Sequence, residues 1–168
     1  MNKCVAVILV LLTGQVLANQ PADRACHNLY QLTDLSYAVE PGKLVAASGG
    51  VAEHCKTRAV INRAIQVEIT MPTQNWNGRM MFSTVGGGAG SIGDITSLLS
   101  RGFAMASTDT GHEGQSLEFA MQPEPLLDYA YRGVHLATQL AKATIEKYYQ
   151  QDISFAYLSG CSNGGRAA

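Results

Sequence analysis

The run Tyr157-Leu158-Ser159-Gly160-Cys161-Ser162-Asn163-Gly164-Gly165 constrains this chain more than any other stretch. An apolar segment, Ile153 to Leu158, reads as a strand and runs straight into a Gly-X-Ser-X-Gly pattern, Gly160 to Gly164. The pattern predicts a strand that ends, turns sharply and enters a helix, with the serine on the turn. Glycines two before and two after the serine leave room that bulkier residues would fill. The Ser162 hydroxyl is then presented at the carboxyl edge of a sheet, where a nucleophile would stand. Small residues meet often by chance, so the pattern needs its context: a strand before it and a helix before that strand. The competing reading is a Gly/Ser turn that closes an ordinary strand.

An elbow of this kind draws its acid and then its histidine from residues that follow the serine. The sequence stops at Ala168. It is therefore expected to be the amino-terminal part of a larger enzyme, with the acid and histidine beyond it.

With 168 residues, 46% of them hydrophobic, the chain is long enough for one domain with a real core. Only 15% of residues are charged and the formal net charge is -1. No basic stripe or Arg/Lys cluster argues for a nucleic-acid partner. The first residues read as a targeting segment: Lys3 as a short positive region, Val5 to Leu12 as an apolar run, Val16-Leu17-Ala18 as a cleavage signal. The apolar run is too short to span a bilayer and is interrupted by Gly14 and Gln15. The expected division is thus a signal peptide over 1–18 and an exported, secreted or periplasmic chain over 19–168, with no membrane partner after cleavage.

Export permits disulfides. The mature chain keeps Cys26, Cys55 and Cys161. Cys26 and Cys55 flank one small polar-rich segment and are the natural local pair, which leaves Cys161 without a partner. His27 and His54 are isolated neighbours of these cysteines, not part of a zinc pattern. No cofactor or metal is expected in this stretch.

Along the chain, Cys26 to Leu35 reads as a short helix with Leu29, Leu32 and Leu35 at helical spacing. Ile65, Val67 and Ile69 alternate with Gln66, Glu68 and Thr70, predicting a half-buried strand that Pro72 ends. Asn77-Gly78 is a hairpin dipeptide, and Met80 to Val85 reads as the returning, more central strand. Gly86-Gly87-Gly88-Ala89-Gly90 follows at once. No Gly-Lys-Ser/Thr follows it, so it is not a P-loop. A helix is expected next, capped near Asp94, carrying Leu98 and Leu99 and closed by Gly102.

Phe103 to Ser107 predicts a doubly covered parallel strand. The polar loop Thr108-Asp109-Thr110-Gly111-His112-Glu113-Gly114 lies at its carboxyl end, where functional residues of such sheets collect. Asp109 and His112 precede the serine and are close to each other in sequence, so a structured loop is the better expectation than a triad. Pro123 and Pro125 are expected to break any helix there. Asp128 to Tyr149 is the best helix, with Val134, Ala137, Leu140, Ala141 and Ile145 on its apolar face and His135 near the edge of that face. The order strand, glycine loop, helix, strand, loop, helix, strand, elbow gives an α/β class: the parallel half of an α/β-hydrolase fold, an incomplete sheet with flanking helices.

Several blocks in this order resemble the tannase and feruloyl esterase family. They are Trp76-Asn77-Gly78-Arg79, the glycine loop from Gly86, Ala106 to His112, Arg132-Gly133-Val134-His135, and Gly160 to Gly165. Together they span nearly all of the mature chain. The resemblance implies a secreted carboxylic ester hydrolase acting on small aromatic esters, phenolic or terephthalate-like. It implies Ser162 as nucleophile, with the backbone N–H groups of Asn163 and of Gly87 or Gly88 as oxyanion donors. It implies a Cys26–Cys55 disulfide, and a bridge from Cys161 to a cysteine beside the catalytic histidine. It also implies a lid domain with a calcium site, both after Ala168. A lipase or peptidase of the same fold, or a secreted binding domain without catalysis, are the rival readings.

The sequence as it stands lacks an acid and histidine after Ser162, and a lone hydroxyl is a poor nucleophile. Residues 19–168 are therefore expected to show no serine-dependent turnover of methyl ferulate, methyl gallate or a 4-nitrophenyl ester. Turnover abolished by Ser162→Ala would overturn this and revive His112 as a base.

Overall fold

A computed structural model describes residues 21–168; the expected signal peptide and its cleavage site lie outside the described residues. Seven strands form one mixed sheet: β1 (Tyr37–Val39), β2 (Lys43–Val45), β3 (His54–Ile61), β4 (Ile65–Pro72), β5 (Arg79–Ser83), β6 (Phe103–Thr108) and β7 (Phe155–Ser159). Their order across the sheet is β1-β3-β4-β6-β5-β7, with β2 also paired to β3. The helices are α1 (Ala22–His27), α2 (Pro123–Leu127), α3 (Gly133–Tyr149) and α4 (Asn163–Ala167).

Two halves meet in this sheet. β1 to β4 are joined antiparallel, and β4 continues antiparallel onto β6. β5, β6 and β7 run parallel, with β5 between the other two. The Asn77-Gly78 dipeptide therefore does not make a hairpin. Gly78 does take the left-handed conformation, with φ 76°. The turn it makes carries the chain past β6, which inserts between β4 and β5. The tight hairpin lies instead between β3 and β4, where Asn62 (φ 50°) and Arg63 (φ 68°) turn the chain. Strand β3 buries Cys55, Thr57, Ala59 and Ile61 on alternate positions, but Thr57 and Ala59 in the inward set and Val60 in the outward one weaken the apolar/polar contrast that would announce it.

Helix α3 covers one face. Val134, Ala137, Leu140, Ala141 and Ile145 are all buried against Ile65, Val67, Ile69, Met80, Phe82, Ala104 and Ala106, so the apolar stripe faces the sheet as its spacing predicts. His135 is exposed rather than packed. Pro123 and Pro125 do not break a helix; Pro123 starts α2. Proline is tolerated in a first turn, whose N–H groups have no helical acceptor. A wide π-type turn over Asp128–Arg132 then joins α2 to α3.

The other face is covered differently from the expectation. After the glycine loop there is no full helix, only a 3-10 turn over Leu99–Arg101 closed by Gly102 at φ 79°. Asp94 caps as expected, but its Oδ1 accepts from the N–H groups of Thr96 and Ser97 in a local turn. Ile95, Phe103 and Met105 form a small second core here. At the amino end, α1 passes into a 3-10 turn ending at Leu32, so Leu29 is buried while Leu35 lies outside in solvent.

Two locks tie the edges down. The Trp76 ring stacks on Tyr149 at 4.0 Å between centroids, and the Tyr149 hydroxyl donates to Pro72 O at 2.7 Å. Cys26 of α1 and Cys55 of β3 form a disulfide and both are fully buried. The bridge closes a loop with a sequence separation of 29. Cys26→Ala/Cys55→Ala should lower unfolding free energy by about 2–4 kcal/mol, because the open chain regains loop entropy. Urea unfolding of the pair variant against wild type measures this.

Candidate active site

Because β5, β6 and β7 are parallel and in register, their carboxyl ends finish on one edge. Ser83 is aligned with Ser107 on one side and Ser159 on the other. The glycine loop, the Asp109–His112 loop and the Ser162 turn therefore gather there.

Ser162 has φ 57° and ψ -125°, between the last residue of β7 and the first turn of α4. A non-glycine residue is uncommon there, and such conformations cost on the order of 1–3 kcal/mol. The serine is exposed. The two flanking glycines are required by packing. A Cβ on Gly160 would overlap Thr84 Oγ1 and Gly164 O, and one on Gly164 would lie 2.9 Å from Thr84 O. Thr84 itself bridges the elbow: its N–H donates to Ser159 O at 2.8 Å, and its hydroxyl lies 3.0 Å from Ser159 O and 2.8 Å from Gly164 O. Gly86 is the loop residue beside the serine; a Cβ there would lie 3.7 Å from Ser162 Cβ and 3.3 Å from Cys161 O.

The glycine loop is held from several directions. Asn163 Nδ2 donates to Gly87 O at 2.7 Å. Gly88 N–H donates to Gln115 Oε1 at 2.7 Å. Ala89 N–H returns to Gly86 O at 3.1 Å. His112 Nε2 donates to Gly88 O at 2.7 Å, while its Nδ1 lies 3.4 Å from Thr110 Oγ1. The imidazole also stacks on Phe119, with centroids 3.8 Å apart, and meets Tyr129 edge-on. Both ring nitrogens thus face loop partners, which fits a structural role for His112. Burial lowers its pKa, partly opposed by the bond to Gly88 O.

Asp109 is buried at the end of β6. One oxygen, Oδ1, accepts from Gln66 N–H and Gly111 N–H, both at 2.9 Å. The other, Oδ2, is buried with no partner among the described residues. Loss of solvent pushes the carboxyl up to about 6, aided by the charge of Glu113 and opposed by the backbone donors. Behind the loop, a Cβ on Gly111 would strike the Asp128 side chain and one on Gly133 would lie 3.0 Å from Thr110 Cα. The helix can approach the loop only because both are glycine.

Four residues here carried no signal in the sequence. Thr84 and Gln115 are ordinary polar residues beside glycines. Tyr129 and Arg166 meet across the fold: Tyr129 OH donates to Asn163 Oδ1 at 3.1 Å and Arg166 Nε to the same oxygen at 2.7 Å. Arg166 also donates to Ala130 O and Tyr129 O, both at 3.0 Å, and lies over the Tyr129 ring at 4.3 Å. Cys161 is an exposed free thiol. Among the described residues no group of three or more His, Cys, Asp or Glu could hold a metal ion.

The profile of the tannase and feruloyl esterase family matches residues 49–168. The chain belongs to that family. It is 33% identical over 141 residues to the probable feruloyl esterase B-2 of Aspergillus terreus, covering 80% of this chain and 27% of that protein. It is 26% identical over 179 residues to the mono(2-hydroxyethyl) terephthalate hydrolase of Piscinibacter sakaiensis, covering 90% of this chain and 30% of that one. The crystal structure of an esterase from Aspergillus oryzae superposes with a TM-score of 0.75 at 25% identity, covering 88% of this chain and 34% of the other. The chain thus spans about a third or less of the relatives it matches.

Asp109 gives a pH signature with a definite sign. Its folded-state pKa of about 6 exceeds the unfolded value near 3.8, so the native state binds the proton more tightly. Its contribution favours folding below pH 4 and is lost as pH rises through about 6. Relative to Asp109→Asn, wild type should lose on the order of 1–3 kcal/mol of stability between pH 4 and 7. Urea titrations of both proteins across that range measure the difference, in which the other carboxylates cancel.

Proposed function

We propose that this chain is the nucleophile-bearing, amino-terminal part of an exported carboxylic ester hydrolase acting on small aromatic acid esters. The observation that carries the reading is Ser162, held at φ 57° on a strand-to-helix turn against a glycine loop, in a chain of the tannase and feruloyl esterase family. The aromatic ester substrate follows the names of the relatives, feruloyl esterases and a terephthalate monoester hydrolase. Export rests on the leader-like first residues. Among the described residues no helix is long and apolar enough to cross a membrane.

In the proposed reaction a histidine, oriented by an acid, takes the Ser162 proton; both lie outside the described residues. Oγ attacks the ester carbonyl and the carbonyl π pair moves onto oxygen. That oxyanion is received by the backbone N–H of Asn163 and by the glycine loop. Gly88 N–H is already bonded to Gln115, whereas Gly87 N–H follows directly on the glycine beside the serine. Gly87 is therefore the loop donor. The tetrahedral species collapses, the alkoxide leaves with the histidine proton, and water repeats the sequence to release the acid and free Ser162. The exposed thiol of Cys161 would bridge to the cysteine that the resemblance places beside the histidine, holding base and nucleophile together.

In the full-length protein, Ser162→Ala should abolish turnover of methyl ferulate and of mono(2-hydroxyethyl) terephthalate, a loss of at least about 1,000-fold. A fluorophosphonate should label Ser162. Unchanged turnover in Ser162→Ala would refute the nucleophile assignment. Faster cleavage of an anilide than of the matching ester would point to a peptidase, and failure to label would point to a binding domain.

A further inference from the structure

The Gly87–Gly88 peptide is fastened at both of its polar ends by side chains from different parts of the fold. Its carbonyl accepts from Asn163 Nδ2 at 2.7 Å, and its N–H donates to Gln115 Oε1 at 2.7 Å. Both carboxamide orientations are fixed by chemistry. Gly87 O can only accept, so Asn163 must present nitrogen to it; Gly88 N–H can only donate, so Gln115 must present oxygen. The remaining oxygen of Asn163 then accepts from Tyr129 OH and Arg166 Nε, which is consistent with both partners being donors there.

A peptide between two glycines has little steric reason to hold one orientation, and Gly87 already sits at φ 62°. Rotation of that plane would break both bonds, to Asn163 and to Gln115, and free the turn from its two side-chain anchors, while Gly87 N–H belongs to the adjoining Gly86–Gly87 plane. The Gly86–Gly87 peptide is itself held at its oxygen by Ala89 N–H, so the Gly87–Gly88 plane is the adjustable joint of the loop. Gln115 also fills the space over both glycines. A Cβ on Gly88 would lie 2.8 Å from Gln115 Cα, and one on Gly87 would overlap Gln115 Oε1.

We infer that the side chains of Asn163 and Gln115 are positioning residues of the oxyanion hole, clamping the glycine turn at its Gly87–Gly88 peptide so that Gly87 N–H, on the adjoining plane, stays free and held beside Ser162. Asn163 thereby has two roles. Its backbone N–H is one donor, and its side chain sets the other donor through Gly87 O. Arg166 and Tyr129 anchor that side chain to the wide turn before α3, since Arg166 also binds the carbonyls of Tyr129 and Ala130. The two halves of the hole, one after β5 and one after β7, are thus held in register by a hydrogen-bonded chain and not by backbone contact alone. This inference rests on the proposed serine esterase reading, and its test separates the two.

The experiment uses the full-length protein and reads acylation by a 4-nitrophenyl ester of an aromatic acid in stopped flow, together with exchange of the Gly88 amide. Asn163→Asp keeps the acceptors for Tyr129 and Arg166 but loses the donor to Gly87 O. Gln115→Met loses the acceptor for Gly88 N–H, while Gln115→Glu keeps one. Asn163→Asp and Gln115→Met should each slow acylation about 10–100-fold with KM within about twofold, since only the transition state needs the aimed donor. Gln115→Glu should stay within about threefold of wild type. The double variant Asn163→Asp/Gln115→Met should be no worse than about twofold below the slower single variant, because both act on one peptide plane. Gly88 amide exchange should be slow in wild type and fast in Gln115→Met.

Wild-type acylation in both single variants, multiplicative losses in the double variant, or losses confined to KM would overturn the inference while leaving the Ser162 reading intact. Fast Gly88 exchange in native wild type would overturn it without any variant. Turnover that survives Ser162→Ala would instead overturn the serine esterase reading, and slow Gly88 exchange would still report the pinned peptide.

Discussion

The parallel register of β5, β6 and β7 is the constraint on which the site depends. Hydrogen bonding of β5 to both neighbours makes the strands end level at Ser83, Ser107 and Ser159. Nothing local to Ser162 would bring Gly86 beside it without that alignment. The register is reinforced at its end by Thr84, which ties β5 to Ser159 and to the first turn of α4. Ser107 does the equivalent on the other side, with its hydroxyl donating to Ser83 O at 2.8 Å and accepting from Gly93 N–H at 2.8 Å. Small hydroxyl residues at the strand ends thus carry the sheet's hydrogen bonding into the loops, where the regular ladder has stopped.

Close approach is the second requirement, and glycine supplies it at defined points. Gly160 and Gly164 let α4 fold back onto Thr84, and Gly133 lets the long helix sit on Thr110. These positions account physically for two of the sequence blocks that carry the family resemblance. The Arg132-Gly133 block is a contact point: Gly133 admits the loop, and Arg132 pairs with buried Asp128 and with Glu124 at 2.5 Å each. The Trp76-Asn77-Gly78-Arg79 block is a turn and a lock, with Trp76 stacked on Tyr149 and donating from Nε1 to Arg79 O at 3.0 Å.

Features with a strong local cause were legible in the sequence. The elbow, the buried stripe of α3 and the existence of β4 each follow from residues within one segment, although β4 is buried on both faces, Glu68 and Thr70 included, and not half-buried as its alternation predicts. Pairing between distant segments was not. Asn77-Gly78 does turn the chain, yet whether a turn closes a hairpin depends on which strand arrives next to it, and β6 takes that place. The helix expected after the glycine loop fails because Asp94 satisfies its own turn and Gly102 ends the 3-10 turn that follows. Pro123 and Pro125 misled because their effect changes with position: they interrupt a helix interior but suit a first turn. At the candidate site, the turn carrying Ser162 and Asn163 and the glycine loop with Gly87 and Gly88 were legible as motifs. Gln115, Tyr129, Arg166 and Thr84 were not, since a single polar residue shows its role only when its partner, far away in sequence, is known.

A strained serine must be stabilised by its surroundings, and the surroundings here are mostly polar. α4 begins directly after Ser162, with Asn163 as its first residue. It is held by Arg166 on the carbonyls of the wide turn, by Gly164 O on Thr84 and by Asn163 on the glycine loop. Hydrogen bonds are directional where apolar contacts are not, so this arrangement fixes orientation more sharply than a greasy seam of equal strength would. The same reasoning explains the placement of charge in the fold. Glu68 is buried in β4 but paired with both Lys56 and Arg58 across the strand, so its desolvation is opposed and its pKa falls below the usual carboxylate value. Asp109, more deeply desolvated and with only backbone donors, has its pKa raised instead. The antiparallel half meets its buried carboxylate with ion pairs; at the parallel edge Asp109 Oδ1 is met by backbone N–H groups and the glycine loop by carboxamides.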